Sequence, residues 1–206
     1  MMVRLLQMAG WLLPGLAMAA VPDPDALLRH LARAAPATTA FVEVHFSPLL
    51  SRPLIVSGEL EYGGPDVLGR TVAKPYSEQT QIRGDTVTIV RGAGKPRTFS
   101  LERAPELKIL LSSFSALLEG NRRRLETDFT LTVEGDAAHW SLGLTPRDAR
   151  LRQRVPQITV TGAASGPRCM ITTAPDGSLT VMLMEDAART EVAPDVDRAG
   201  LEQACR

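Results

Sequence analysis

The chain has 206 residues, and its 23 lysines and arginines balance its 23 aspartates and glutamates, so its formal net charge is zero. That balance excludes nucleic acid as an expected partner, because phosphate binding requires a clear basic excess or patch. Hydrophobic residues make up 44% of the chain, which is enough for one domain of ordinary size with a substantial core.

The N-terminal segment predicts an exported protein. Arg4 supplies a short positive region, residues 5–16 are mostly apolar, and Ala17-Met18-Ala19 offers small residues where a signal peptidase cleaves. The alternative is an uncleaved membrane anchor, but a membrane span needs about 20 apolar residues and this stretch is shorter. We therefore expect a signal peptide at 1–19, with cleavage after Ala20 as the nearest alternative.

The next hundred residues predict one helix followed by strands. The helix runs from Asp23 to Ala35, with a capping aspartate and leucines at helical spacing, and Pro36 ends it. Alternating segments then predict strands, and in the first of them Val44 shares an apolar face with Val42 and Phe46. The predicted strands are 40–46, 54–62, 67–73, 77–83, 85–91 and 96–102.

Residues 105–120 form the strongest amphipathic helix pattern in the chain. Pro105 suits a first helical turn and Gly120 suits a C-terminal stop. The pattern leaves two interpretations open: the helix packs permanently on the sheet as core, which is the commoner case, or it covers an apolar cavity as a movable lid. Its apolar stripe at helical period is Leu107, Leu110, Leu111, Phe114, Leu117 and Leu118.

Strands resume after this helix and a short helical continuation to Leu125. The order of elements predicts a mainly β fold with helices, in which about ten or eleven strands form a curved antiparallel sheet or partly closed barrel. We expect a single domain at 20–206 that ends in a polar tail at 185–206. The later strands are predicted at 129–133, 140–144, 155–162, 168–174 and 179–184, with a hairpin turn at Asp176-Gly177.

The two cysteines, Cys169 and Cys205, predict a disulfide that ties the C-terminal tail to the rest of the domain. Exported chains with an even number of cysteines usually pair them, because the compartment is oxidising. The alternative is two unrelated free thiols. The sequence has no Cys-x-x-Cys motif and no cluster of cysteine and histidine, so we expect no metal site.

The sequence offers no catalytic motif. Its histidines are His30, His45 and His139, and each lies in or beside a predicted helix or strand. Residues 162–166 lack the spacing of a nucleophile elbow, and neither a zinc-protease motif nor a phosphate-binding glycine loop occurs. We expect no catalytic residue, no cofactor and no enzyme activity.

Three arginines, Arg122 to Arg124, follow the amphipathic helix directly. They are interpreted either as a solvated basic helix end, which is the simpler case, or as a contact for acidic partners or phospholipid headgroups.

Several weak motifs occur in a characteristic order. Ser57-Gly58-Glu59-Leu60-Glu61-Tyr62 is followed by Pro65, Leu68 and Pro75-Tyr76-Ser77-Glu78. A leucine-rich helix, Phe129, Trp140-x-Leu142-x-Leu144-x-Pro146, Ile158 and Asp176-Gly177 complete the order. This ordered set, over residues 25 to 184, resembles the LolA family of periplasmic lipoprotein carriers, and most closely its divergent LolA-like subgroup.

The resemblance implies an incomplete antiparallel β-barrel with a helical lid over an apolar cavity. The six apolar residues of the 105–120 stripe are then the lid and cargo-binding residues. The barrel-lining residues expected with them are Val44, Leu54, Val56, Leu60, Leu68, Phe129, Leu131, Val133, Trp140, Leu142 and Leu144.

The resemblance also implies a function, partners and a location. Such carriers take acylated lipoproteins from an inner-membrane transporter and pass them to an outer-membrane acceptor, so the chain is expected in the periplasm with lipoprotein or another lipid as cargo. A monomer is expected. The alternatives are a lipid- or protein-binding sensor module of the same fold, without transport, and a hydrolase acting on lipid esters.

One position departs from the family pattern. The carriers place an arginine just before the conserved proline, where it helps to hold the lid shut, and this chain has Gly64 there. Arg70 lies nearby in sequence but does not match that position. The lid is therefore expected to be held closed in a different way, and the cargo is open to differ as well.

Overall fold

A computed structural model describes residues 21–205 of the chain. The expected signal peptide lies outside these residues. Eleven antiparallel strands form one sheet in the order β6-β5-β4-β3-β2-β1-β11-β10-β9-β8-β7, and among the described residues no ladder joins β6 to β7. The sheet is therefore an incomplete barrel, as predicted.

The strands are short and follow one another mostly as hairpins. Their bounds are β1 Ala37–Phe46, β2 Leu54–Gly64, β3 Val67–Lys74, β4 Glu78–Arg83, β5 Thr86–Arg91, β6 Arg97–Ser100, β7 Phe129–Gly135, β8 Trp140–Pro146, β9 Gln157–Ala163, β10 Gly166–Thr173 and β11 Leu179–Met184.

Within residues 21–205, five α-helices accompany the sheet. They are α1 Pro24–Leu31, α2 Pro105–Leu118, α3 Arg122–Asp128, α4 Ala149–Arg154 and α5 Arg198–Ala204. Helix α2 begins at the predicted proline, and Gly120 lies just beyond its end with a positive φ of 64°. In the described part of the chain, no helix is both long and apolar enough to cross a membrane.

The strand register defines two faces of the sheet. Residues paired directly across an antiparallel ladder share a face, and Phe41 pairs with both Gly58 and Met184. Followed from strand to strand, this set of positions forms one continuous face, which helices α1, α2 and α3 cover. We call it the inner face, and the opposite one the outer face.

Val44 does not line the inner face, contrary to the prediction. It pairs with Ile55 and Val181 and packs on the outer face, whereas Phe41 and Glu43 point inward from β1. The alternation of apolar residues in β1 does not identify the inner face, because the strand has apolar side chains on both faces. Each side of it is buried by a different part of the chain.

The helices bury the inner face of β7 to β9. Leu28 of α1, Leu117 of α2 and Leu125 of α3 join one apolar cluster with Trp140 and Leu142 of the sheet. Burial of these large side chains removes apolar surface from water, which stabilises the fold by about 1.5–3 kcal/mol for each one.

The C-terminal segment covers the outer face. The predicted disulfide is present: Cys169 of β10 is bonded to Cys205, with the two Cα atoms 5.4 Å apart. Leu201 of α5 packs in the same cluster as both cysteines and Val44. The sheet is thus covered on both sides, by helices inside and by the bonded C-terminal segment outside.

Candidate functional site: a helix-covered pocket on the inner face

A pocket of about 340 Å³ lies between α2 and the ends of β3, β4 and β5. Its apolar lining comes from Leu68 and Ile82 of the sheet, Leu101 before α2, and Leu111 of α2 itself. The polar side of the lining is formed by Asp66, Gly84, Asp85, Lys108, Ser112, Ser115 and Arg124.

Helix α2 is buried unevenly along its length. In its C-terminal half, Ser113, Ser115, Ala116 and Leu117 are buried, whereas Leu107 in the first turns is 37% exposed. The C-terminal half is therefore the more deeply buried. The division is gradual, because Leu110 of the N-terminal half also packs against the core and the pocket is lined from both halves. The core interpretation applies to the C-terminal half, and the lid interpretation stays a prediction for the first turns.

Arg124 holds the covering helix to the sheet. Its guanidinium lies 2.6 Å from an Asp66 carboxylate oxygen in the β2–β3 turn and 2.7 Å from a Glu119 oxygen just after α2. It also donates a hydrogen bond of 3.1 Å to Ser112 of α2. With Ser115, whose Oγ accepts a 3.3 Å hydrogen bond from the Asp66 backbone N–H, these residues form what we call the Arg124 clasp.

The electrostatics of the clasp favour its charged form. The hydrogen bond to Asp66, together with the nearby carboxylates, raises the pKa of Arg124. Tyr62, at the end of β2, is buried, and this burial together with the negative charge of Glu119 raises its pKa. The phenol therefore stays neutral while Arg124 stays protonated at any pH the protein meets.

The backbone at Gly64 explains why no arginine stands there. Gly64 is buried with a φ of 117°, a conformation that side chains rarely adopt, and the strand register shifts between Tyr62 and Gly64. The positive φ of 56° at Asp66 then turns the chain toward β3. Asp66, two residues after Gly64, contacts Arg124 of α3 instead.

Two further ion pairs support the helices. Lys108 of α2 lies 2.7 Å from Asp85 in the β4–β5 turn, and Arg122 of α3 lies 2.9 Å from Asp25 of α1. The hydrogen bond to Asp85 raises the pKa of Lys108. These pairs are largely exposed, so each contributes little stability by itself.

A second polar cluster lies on the inner face, beyond the pocket. Arg70 stacks over the Phe41 ring at 4.8 Å from its centroid and lies 3.2 Å from Glu43. Glu78 is buried between Arg70 and Arg91 and is paired with both. Arg70 thus contacts the sheet and makes no part of the clasp.

The structure brings ten of the eleven expected barrel-lining residues to the inner face, Val44 being the exception. Leu68 lines the pocket, Leu142 and Leu144 are buried under the helices, and Leu54 is partly exposed at the end of its strand. Among the lid residues, Leu111 lines the pocket, Leu110 and Leu117 pack in the core, and Leu107, Phe114 and Leu118 are half-buried or exposed.

The clasp residues were not singled out from the sequence, apart from Arg124 within its run of arginines. A usable signal exists: Ser112 and Ser115 lie three residues apart on one side of the leucine-rich helix. Polar residues at such positions need a hydrogen-bond partner when they are buried. The partner, Asp66, is 49 residues away from Ser115 in the chain, so its identity could not be read from local pattern.

The histidines lie apart from the pocket. His30 and His139 are exposed, and the His45 Nδ1 is 2.9 Å from the Thr180 hydroxyl on the sheet. Within residues 21–205, no group of three or more histidine, cysteine or carboxylate side chains could hold a metal ion. The chemistry that the pocket does offer is apolar contact on one side and charged hydrogen bonding on the other.

Comparisons with solved structures return several matches. A LolA superfamily protein from Nitrosomonas europaea is 11% identical, with 82% of this chain and 93% of that chain covered and a TM-score of 0.42. LprF from Mycobacterium bovis is 14% identical, with 86% of this chain and 100% of that chain covered and a TM-score of 0.37. A chain of the MucA/MucB complex of Pseudomonas aeruginosa is 16% identical, with 79% of this chain and 56% of that chain covered and a TM-score of 0.36.

No curated protein matches the chain by sequence. The family model described as "Outer membrane lipoprotein carrier protein LolA-like" matches residues 16–206, which is nearly the whole chain. The open eleven-stranded sheet and its helical cover agree with the architecture expected from the ordered motifs. The chain therefore belongs to the LolA-like family of outer membrane lipoprotein carrier proteins.

Proposed function

We propose that the protein is a soluble periplasmic carrier that shields acyl chains, of lipoproteins or of another lipid, during transfer from the inner to the outer membrane. The observation that carries this proposal is a pocket with an apolar side beneath α2, a helix that is buried at its C-terminal half and partly exposed in its first turns. Exposing acyl chains to water costs about 0.8 kcal/mol per CH₂ group, so transfer through an aqueous compartment requires such a cover.

The cargo-loaded state needs a larger space than the closed pocket gives. A volume of about 340 Å³ lies at the lower end of the range of roughly 300–1,000 Å³ typical of ligand sites. A lipid with two or three chains therefore requires the first turns of α2 to move away from the sheet. The Lys108–Asp85 pair, which joins these turns to the sheet, is suited to such movement, because it is exposed and can exchange with water.

The inner face suits loose binding of flexible chains. Met170, Met182 and Met184 lie on it beside Phe41, in the region between the pocket and the core under the helices. Methionine side chains adapt to irregular apolar shapes, so they accept chains of different length without fixed geometry. A carrier must also release its cargo, and such contacts allow this.

The test is to identify what the mature protein carries. We would purify it from the periplasmic fraction without detergent, extract it, and identify acylated molecules by mass spectrometry. Wild type should retain an acylated lipid or lipopeptide, and the purified protein should release the same molecule from spheroplasts in soluble form. The proposal would be contradicted if the protein retained no more acylated molecule than a control periplasmic protein does and also released none from spheroplasts.

A binding module without transport is the second candidate, and the charged side of the pocket favours it. Asp85, Lys108 and Arg124 could hold a polar group at the pocket entrance. The same experiment separates the two functions. A module would retain its ligand but release nothing from spheroplasts, whereas a carrier does both.

We propose that neither function includes catalysis. Serine-directed covalent probes test this, since a lipid-ester hydrolase would be labelled at its nucleophile. We expect no labelling beyond that of the heat-denatured protein. Specific labelling of a serine near the pocket, such as Ser112, would contradict this expectation.

A further inference from the structure

The β1–β2 connection, residues 47–53, presents leucines to solvent. Leu49 is 94% exposed and Leu50 is 44% exposed, the former being the most exposed large apolar side chain among the described residues. Leu54, at the start of β2, and Tyr76, in the β3–β4 connection, are also exposed at this end of the sheet. Exposed apolar side chains that cluster in this way mark an interaction surface.

The leucines project from a turn with fixed geometry. The backbone N–H of Leu50 donates a 3.0 Å hydrogen bond to the Ser47 carbonyl, and that of Leu49 donates to the Ser47 hydroxyl at 3.3 Å. Pro48 and Pro53 restrict the backbone further. The side chains are therefore held outward by local structure, and the loop does not fold them back onto the sheet.

The same end of the sheet is basic. The β1–β2, β3–β4 and β5–β6 connections lie at one end, because the strands alternate in direction. From the last residue of one strand to the first residue of the next, none of these connections carries an acidic side chain except Glu78, which is buried and paired with Arg91. The exposed basic residues here that form no ion pair within the described chain are Arg52, Lys74, Lys95 and Arg97.

The basic charge continues on the other half of this end. Helix α4 joins β8 to β9 there and brings Arg150 and Arg154, both exposed. Asp148 caps that helix, and Asp176 in the β10–β11 turn accepts hydrogen bonds from Ser178. We call this region, with the three connections above, the basic end.

The opposite end of the sheet is acidic at its hairpin turns. Asp66, Asp85 and Asp136 lie in the β2–β3, β4–β5 and β7–β8 turns, and two of them already bind Arg124 and Lys108. Arg83, the last residue of β4, is also exposed here, so this end carries both signs of charge, whereas the three connections of the basic end expose basic side chains alone.

We propose that the basic end binds the surface of a bilayer that contains anionic phospholipid, with Leu49 and Leu50 inserted among the headgroups. Basic side chains beside exposed leucines fit such a surface, because the headgroup charges attract the former and the acyl boundary accepts the latter. A folded protein partner would instead require complementary pockets for the leucines and a matching acidic surface. This binding does not depend on carriage of acyl chains and stands or fails separately.

The experiment is sedimentation of the purified mature protein with vesicles. Binding should be strong to phosphatidylethanolamine vesicles with about one third phosphatidylglycerol, and at least about tenfold weaker to vesicles of phosphatidylcholine alone. Raising the salt from about 50 mM to about 500 mM should weaken it about tenfold, because the charges are exposed. The double variant Leu49→Ser, Leu50→Ser should bind at least about fivefold more weakly at low salt.

The charge contribution is tested with two matched variants. One replaces four residues of the basic end by glutamine and should bind about tenfold more weakly: Arg52, Lys74, Lys95 and Arg97. Its control replaces four exposed arginines elsewhere by glutamine and should bind within about twofold of wild type: Arg29, Arg83, Arg103 and Arg123. Val21→Ser, at another exposed apolar residue, is the control for the leucines.

Two results would overturn the proposal. If the control set weakens binding as much as the basic-end set, the attraction comes from overall charge and has no defined surface. If wild type binds neither kind of vesicle, the exposed leucines serve a protein partner instead. Circular dichroism and thermal melting of each variant confirm that it is folded, and cargo retention measured in parallel shows whether carriage is separately intact.

Discussion

At the scale of single residues, the three adjacent arginines have three different environments. Arg123 is exposed, Arg122 pairs with Asp25 and Glu126, and Arg124 forms the clasp. The sequence suggested either a solvated helix end or a contact for an external acidic group. Arg124 is neither, because its acidic partners belong to the same chain.

Loss of the clasp should loosen the helical cover without unfolding the protein. In Arg124→Met, the backbone amides of α2 should exchange with deuterium about fivefold faster, since a partly buried charged contact contributes about 1 kcal/mol. Arg123→Met is the matched control, because this neighbour forms no ion pair in the described chain. Equal exchange in the two variants would show that the clasp does not hold the helix.

Asp128, at the end of α3, should lower the stability of the folded state at neutral pH. Burial raises the pKa of its carboxyl above the ordinary 3.8, and Arg124 offsets this only in part. The folded chain therefore holds this proton more tightly than the unfolded chain does, so ionisation costs stability. The end of a helix is also unfavourable for a negative charge.

Asp128→Asn should raise Tm at pH 7 by about 1–3 °C. The gain should shrink as the pH falls through the folded pKa and vanish below 3.8, where the carboxyl is protonated in both states. Asp136→Asn should instead lower Tm at pH 7, because hydrogen bonds from the backbone of His139 and Ala138 lower the pKa of Asp136 and so stabilise its ionised form in the folded chain. Thermal melts of both variants between pH 3 and pH 7 measure this, and a loss of Tm in Asp128→Asn at pH 7 would disprove it.

At the scale of elements, α2 has different surroundings along its length. The stripe from Leu107 to Leu118 is continuous in sequence, but the sheet beneath it is not uniform. Its C-terminal part meets the apolar inner face of β7 to β9 and, through Ser115, the turn that carries Asp66, whereas its N-terminal part meets the turn that carries Asp85. The pattern predicts that a face is covered, and only the tertiary contacts show by what.

Charged substitutions should separate the two halves of α2. Leu111→Asp should leave the protein folded, with Tm lowered by only a few degrees, and abolish cargo retention because a charge in the pocket adds a large desolvation cost. Leu107→Asp, at an exposed position on the same helix, should retain cargo. Leu125→Asp, in the fully buried core, should unfold the protein. Circular dichroism with lipid mass spectrometry measures all three; unfolding of Leu111→Asp would mean that the pocket half is core.

The sequence predicts the strand boundaries well, but it places Val44 of β1 on the wrong face of the sheet. The Asp176-Gly177 turn and the strand at Leu179–Met184 are where the alternation placed them. On β1, apolar residues lie on both faces, so alternation could not identify which one turns inward. Helix α4 was missed because its six residues offer only Leu151 as a buried position.

At the scale of the whole molecule, the two sides of the sheet are held by different means. The outer cover is bonded covalently through Cys169 and Cys205, 36 residues apart in sequence. The inner cover is held by apolar packing and by the Arg124 clasp. On the proposed carrier function, the inner cover is therefore the side that we expect to open.

Removal of the disulfide should lower stability and leave cargo binding intact. The double variant Cys169→Ala, Cys205→Ala should lose about 3–4 kcal/mol for a loop of this length, which corresponds to a Tm lower by about 10 °C. Cargo retention should be unchanged at a temperature where the variant is folded, because the bond lies on the outer face. Wild type treated with a thiol reductant should have the same Tm as the variant. Loss of cargo by the folded variant would contradict the expectation that the disulfide on the outer face does not affect binding on the inner face.

The fold class and the family followed from the order of weak motifs, whereas the contacts that hold the site did not. Leu142 and Leu144 occur in a motif with a fixed local spacing, and their burial follows from it. The Asp66–Arg124 contact joins residues 58 positions apart, and the family's arginine position is occupied by Gly64. Local pattern therefore predicts what is buried, and long-range polar contacts require the structure.

The break in the barrel lies between the edge strands β6 and β7, and the chain crosses it through α2 and α3. The covering helices are thus also the covalent bridge over this seam, so they cannot swing outward without altering the spacing of the two edges. Widening the seam breaks no strand pairing among the described residues, because no ladder closes it. If the protein carries cargo as proposed, we expect the space for it to widen at the seam, while the paired strands keep their register.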